Sequence, residues 1–225
     1  MNYASIVPLI GGETIAMQNV FKKKPEYILS YEDFKANDTH LVEYYKGKVP
    51  YYLLGNNRSY DLPSVDVVNT VCPCAGLSSL NTSASSDAAA NDWMSTSANY
   101  VLGTLKPKVF WGENAPRLAS KMGEPVVESL REIGRQHGYT FSLYKTKSLL
   151  HGLGQVRDRS FYFFWKGSKV PQLSYVKRSH TKIEDTIRST YNNSDDPMNV
   201  LTNTATPSDD PYYRYVLEEL EGGIT

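Results

Sequence analysis

Four apolar runs, each ending in glycine or polar residues and separated by stretches of helical spacing, constrain this chain more than any other feature. They are ASIVPLI before Gly11-Gly12, EYILSYED, VDVVNTV before Cys72-Pro73-Cys74, and KPKVFWGEN. A continuous apolar run fits a strand covered on both faces, as in a parallel sheet. Between them, ETIAMQNVF has apolar residues at helical intervals, DTHLVEYYKG has a capping Asp38 and closes at Gly47, and Asp92 to Leu105 forms a further helix. EPVVESLREIGRQHG is an amphipathic helix with a glycine stop, and YTFSLYKT and RSFYFFWKG are later strands. This alternation predicts an α/β fold, Rossmann-like, with a mainly parallel sheet and helices on both faces. In such sheets ligands collect at the carboxyl ends of the strands, so the turns after Ile10, Val71 and Trp111 are predicted to share one edge.

Both cysteines of the 225-residue chain lie in one Cys-Pro-Cys. A pair this close cannot staple distant segments, which leaves metal binding, a structural role or nucleophilic chemistry. A zinc site needs partners, and His40, His137, His151 and His180 are not paired at ligand spacing. So few cysteines fit a reducing compartment. ASIVPLIGG is too short for a membrane span and lacks a basic lead, so the expectation is a soluble cytoplasmic protein. Net charge is zero but unevenly spread. Ten Lys or Arg against three acids from Lys145 to Arg188 leave +7, and one Arg against seven acids from Ser189 to Thr225 leaves −6. A basic segment of this kind suits phosphate contacts, and equally a solvated surface.

PCAGLS (Pro73 to Ser78), GENAP (Gly112 to Pro116) and GLGQVRDRSFYFF (Gly152 to Phe164), in this order, resemble the Pro-Cys, Glu-Asn and Gln-x-Arg-x-Arg motifs of the cytosine-C5 methyltransferases. The resemblance spans about Ser5 to Trp165. It implies S-adenosylmethionine-dependent methylation of a cytosine flipped out of duplex DNA, with Cys74 as the nucleophile. It makes Glu113 the group at N3 of the base, Arg159 the holder of the base carbonyl, and Arg157 a brace for the cysteine loop. Asn114 is expected to order the loop, and Cys72 to be structural. Leu77 to Asn99, rich in Ser, Ala and Asn, corresponds to the family's mobile catalytic loop.

The family opens with an aromatic-x-Gly-x-Gly-Gly turn for the cofactor. Here the same stretch is Val7-Pro8-Leu9-Ile10-Gly11-Gly12, which lacks the aromatic and the first glycine. Val7, Ile10, Gly11 and Gly12 are the expected cofactor residues. Glu32, 20 residues after Gly12, is at the distance where an acid meets ribose hydroxyls in such folds. Residues 1–170 are expected to form the catalytic domain. Residues 171–225 would be a linker with a partial or reduced target-recognition region, completed by a second subunit or a missing C-terminal domain. The same motifs leave two rivals open: an RNA cytosine-C5 methyltransferase, or a non-catalytic nucleic-acid-binding or decoy protein that keeps the fold.

Overall fold

The computed structural model describes residues 1–34, 39–55, 58, 60–176, 182 and 185. The chain divides into two units, Met1–His180 and Thr181–Thr225, and nearly all described residues belong to the first. Asp38 and the acidic stretch from residue 189 onward lie outside them.

The first unit is built on one seven-stranded sheet in the order β3-β2-β1-β4-β5-β7-β6. β1 (Tyr3–Ile6), β2 (Ile28–Tyr31), β3 (Tyr51–Leu54), β4 (Val67–Thr70) and β5 (Val109–Asn114) run parallel. β6 (Thr140–Lys147) and β7 (Asp158–Trp165) form an antiparallel hairpin against β5. β1 and β4 are buried at every position, as their unbroken apolar runs require. Strand β3, TyrTyrLeuLeu, was not foreseen from the sequence. It follows Pro50 directly and is too short to show a period.

The helices join successive parallel strands. α1 (Gly12–Phe21) follows β1, and α2 (Thr39–Tyr45) follows β2 and stops at Gly47, whose φ is 70°. α3 (Asp92–Tyr100) continues as a π-helical turn through Val101–Leu105, so the expected helix from Asp92 to Leu105 is present. α4 (Glu124–Gln136) has proline in its first turn and buries Val126, Val127, Leu130 and Ile133, a spacing that points one stripe at the sheet. Under α3 and α4 the main core contains Leu102, Leu130 and a cluster of Phe110, Tyr162 and Phe164, with the two phenylalanine rings stacked at 5.7 Å. No helix among the described residues is long and apolar enough to cross a membrane.

Two expected elements are different in the structure. β1 ends at Ile6, not Ile10, because Val7 (φ 47°) and Leu9 (φ 50°) leave the extended region as the chain turns toward α1. The stretch from Leu77 to Asn99 is irregular only as far as residue 88. Beyond it, Ala89–Asn91 forms a short 3-10 turn and α3 starts at Asp92, placing Met94 and Ala98 in the core. Its Ser and Asn content masked two apolar residues spaced four apart, enough to bury one face.

Gly112 in β5 shows how tightly the sheet is packed beside the site. A Cβ there would lie 2.3 Å from Tyr162 Cζ and 2.8 Å from Thr70 Cγ2. Gly112→Ala should therefore lower stability by about 1–3 kcal/mol, the usual cost of overpacking, measured as a fall in Tm. An unchanged Tm would mean that the Tyr162 ring does not lie over this glycine.

Candidate active site

The carboxyl ends of β1, β4 and β5 open into one cleft of about 600 Å³. Pro8, Leu9, Ile10, Gly12 and Glu13 line it from the first turn, and Val71, Cys72 and Cys74 from the second. Glu113 comes from the end of β5, and Thr146, Ser148, His151, Arg157, Arg159 and Phe161 come from the β6–β7 hairpin. The three turns expected to converge from their places in the sequence do so.

The two cysteines have different surroundings. Cys72 is 1% exposed, with its sulfur 3.3 Å from Thr70 Oγ1 and 3.9 Å from Ser97 Oγ. Burial pushes its thiol up to about 11, so it stays protonated at neutral pH. Cys74 is partly exposed and starts a short turn in which Leu77 N–H donates to Cys74 O at 3.0 Å. That turn is fastened from several sides. Asn81 Nδ2 donates to Ala75 O at 2.8 Å, and Arg117 Nη1 donates to Ser78 O at 2.9 Å. Gly76 permits the close approach of Asn91, whose Oδ1 would be 2.5 Å from a Cβ at that position.

Glu113 is 9% exposed and lies against Arg159, with Oε1 2.5 Å from Nε. The Nε hydrogen is not aligned on that oxygen, so the contact is an ion pair by proximity, while Arg159 Nη1 donates to Asp158 O at 2.8 Å. Burial raises the Glu113 pKa. Arg159 and Arg157 pull the other way and the nearby Glu13 adds to the rise, with burial prevailing. A carboxyl group held this way keeps a proton more readily than a surface one and can donate it within the cleft.

Asn114 is fully buried. Its Nδ2 lies 3.4 Å from Cys72 O, and its Oδ1 accepts from Ala115 N–H at 2.8 Å. It thus ties the end of β5 to the cysteine turn, the ordering role expected of it. Arg157 lines the cleft and also the groove on the other side of Cys74. Arg117, which sequence reasoning missed although it stands three residues after Asn114, also braces the loop after Cys74 through its bond to Ser78 O. His151 was weighed only as a metal ligand. Its Nδ1 faces Ser174 O at 3.1 Å and its Nε2 faces Thr146 Oγ1 at 2.8 Å. A carbonyl only accepts, so Nδ1 carries the hydrogen and, in the neutral ring, Nε2 accepts from the threonine.

The expected cofactor residues divide. Ile10 and Gly12 line the cleft, whereas Val7 is fully buried and Gly11, with φ 85°, shapes the turn behind them. Glu32 stands just beyond β2, outside the cleft lining, with Oε1 2.8 Å from Arg58 Nη2.

A parallel sheet with an antiparallel last hairpin, and a thiol and a carboxyl group at its carboxyl edge, defines a Rossmann-like methyltransferase fold. The match to a family model agrees. Residues 5–217 match C-5 cytosine-specific DNA methylase, and the chain belongs to that family. Among solved structures, it resembles a putative DNA modification methyltransferase encoded within a prophage of E. coli. There the TM-score is 0.60 at 16% identity, covering 83% of this chain and 54% of that one. It also resembles the Entamoeba histolytica methyltransferase EhMeth, with a TM-score of 0.55 at 15% identity, covering 80% and 57%. The chain thus spans just over half the length of these proteins. No curated protein matches it.

The two glycines of the first turn make a paired prediction. A Cβ on Gly11 would meet Leu41 Cδ1 at 2.5 Å in a left-handed backbone, whereas one on Gly12 would meet nothing within 4 Å. Gly11→Ala should cost at least about 1–2 kcal/mol, while Gly12→Ala should leave Tm unchanged or slightly raised. Equal losses from both would contradict this geometry.

Proposed function

We propose that this chain is the catalytic part of a DNA cytosine-C5 methyltransferase. The observation that carries this reading is one cleft in which a partly exposed cysteine, Cys74, shares space with a buried carboxyl group of raised pKa, Glu113. C5 of cytosine is a poor nucleophile. The Cys74 thiolate adds at C6, which sends the ring electrons toward C5 and N3, and Glu113 supplies a proton at N3 as that charge develops. Arg159, beside Glu113, holds the base carbonyl oxygen, and Arg157 braces the cysteine loop. As C5 gains its methyl group the N3 proton returns to Glu113; the C5 proton then leaves to a base, the C5–H electrons restore the ring double bond, and the thiolate departs from C6. The base reaches Cys74 only if it is swung out of the duplex, with the segment 78–88 closing over it.

S-adenosylmethionine, when bound, supplies the electrophilic methyl group. The first turn fits such a ligand. Gly12 leaves open space where a Cβ would be, and Leu9, standing where the family has its first glycine, packs partly against the core and still leaves the cleft open. In this reading Val7, Ile10, Gly11 and Gly12 form the cofactor turn and Glu32 takes the ribose hydroxyls. Glu32 must then exchange or share its Arg58 partner, which supports weaker binding than a free acid would give. Target recognition would come from a second subunit or a C-terminal domain.

The reading is tested by incubating the chain with methyl-labelled S-adenosylmethionine and separate DNA and RNA pools. Label is expected on DNA cytosines; label on RNA alone, or on neither, contradicts it. Glu113→Gln should slow single-turnover methylation by roughly 100-fold or more and leave DNA affinity nearly unchanged, because the carboxyl group acts on charge that appears only after thiolate attack. Parallel losses in rate and affinity would assign Glu113 a structural role.

A further inference from the structure

Two grooves outside the cleft lie end to end along one face of β6. The nearer, about 510 Å³, shares Cys74 with the cleft and is walled by Ser78, Ser79, Pro116, Lys147 and Arg157. The farther, about 610 Å³, runs between β6 and the start of α4 and is walled by Leu118, Lys121, Val127, Arg131, Leu143 and Lys145. The turn Pro116–Ala119 borders both. Lys145 and Lys147 are two residues apart on a strand, so they point to the same side with roughly 7 Å between their Cα atoms. Lys121, Lys145 and Lys147 are exposed, and none is in an ion pair among the described residues. The acids lining the grooves are Asp158 in the nearer and Glu124 in the farther. Arg131 is engaged by Glu128.

We propose that Lys147, Lys145 and Lys121 form a track for the phosphodiester backbone of duplex DNA, on the strand that carries the target base. The inference rests on the function proposed above. If a base enters the cleft beside Cys74, its own backbone must stay outside, and the nearer groove is the open space adjoining that sulfur. The strand then continues into the farther groove, where the free side chains have the sign that attracts phosphate. The track positions the strand and carries no sequence information, since lysine reads phosphate as a point charge. It is also fastened to the nucleophile loop. Arg117, which bonds Ser78 O, lies four residues before Lys121 and within the turn that borders both grooves.

A charge-matched control exists in the same molecule. Lys24 and Lys48 line a third groove with Tyr44 and Tyr45. They lie shortly before β2 and β3 begin, at the sheet edge opposite Cys74. The experiment measures the affinity of the full chain for a 20-base-pair DNA duplex across a salt series, for Lys121→Ala/Lys145→Ala and for Lys24→Ala/Lys48→Ala. The slope of log affinity against log salt should fall by about 0.9 for each phosphate that is no longer neutralised. That is about 1.8 for the first pair and about 2.7 when Lys147→Ala is added, with no change for the second pair and none in Tm for either. Equal slope changes in both pairs, or none in the first, overturn the track. So does an effect confined to an RNA duplex of the same length. Wild-type protein is run beside these with a duplex containing 5-fluorocytosine and S-adenosylmethionine, read by intact mass. A covalent adduct with unchanged slopes sinks the track alone, and absence of the adduct sinks the underlying function and the track with it.

Discussion

The parallel register of β1, β4 and β5 is the constraint on which the rest depends. Ser5 stands opposite Asn69, and Asn69 opposite Trp111, so β1 and β4 end level, β5 runs two residues further to Asn114, and their turns face one space. A buried set of polar contacts fastens this register. Ser5 Oγ donates to Asn69 Oδ1 at 2.6 Å and lies 2.8 Å from Thr14 Oγ1. A hydroxyl has one hydrogen, so with Ser5's given to Asn69 the threonine must be the donor in the second contact. The chain thereby links β1, β4 and the first turn of α1 at a point shielded from water, where leaving either partner unmet would cost about 1–3 kcal/mol. A shift of one residue would turn every buried side chain of β4 to the other face, and Cys74 would no longer share a cleft with Glu113.

The antiparallel hairpin completes what the parallel strands begin. Pairing of Glu113 with Phe161 and of Asn114 with Ser160 brings the arginine motif beside the carboxyl group, although 46 residues separate Glu113 from Arg159. The buried pair that results has opposing tendencies, since burial favours the neutral acid while the guanidinium favours the carboxylate. Burial prevails here, and the outcome suits a group that must hold a proton and then share it. The two cysteines show the same logic in reverse. Cys72 is enclosed and held as a thiol, and Cys74, two residues on, is open to the cleft.

Much of this was legible in the sequence because it rests on strong local signals. Long apolar runs marked the buried strands, and polar or glycine turns marked their ends, which was enough to place Cys74 and Glu113 at one edge. What stayed hidden depends on distant partners. Arg117 is an ordinary surface residue until the loop carrying Ser78 folds against it, and the His151 ring, between Thr146 five residues before it and Ser174 O 23 residues after it, ties the end of β6 to a later segment. The first turn misled in a different way. Val7 and Leu9 occupy left-handed backbone that glycine would favour, so residue type suggested a longer strand where the backbone already turns. β3 carried no periodic signal at four residues, and its place at the sheet edge follows from β2 beside it.

The central claim is that Cys74, and not Cys72, is the nucleophile of this cleft. It is tested most directly by trapping the chain on duplex DNA containing 5-fluorocytosine in the presence of S-adenosylmethionine, since fluorine at C5 blocks the elimination that frees the enzyme. Intact-mass and peptide mapping of wild type, Cys72→Ser and Cys74→Ser then locate the bond. The account predicts one adduct per chain, mapped to Cys74, retained in Cys72→Ser and lost in Cys74→Ser. An adduct that survives Cys74→Ser, or maps to Cys72, would contradict it.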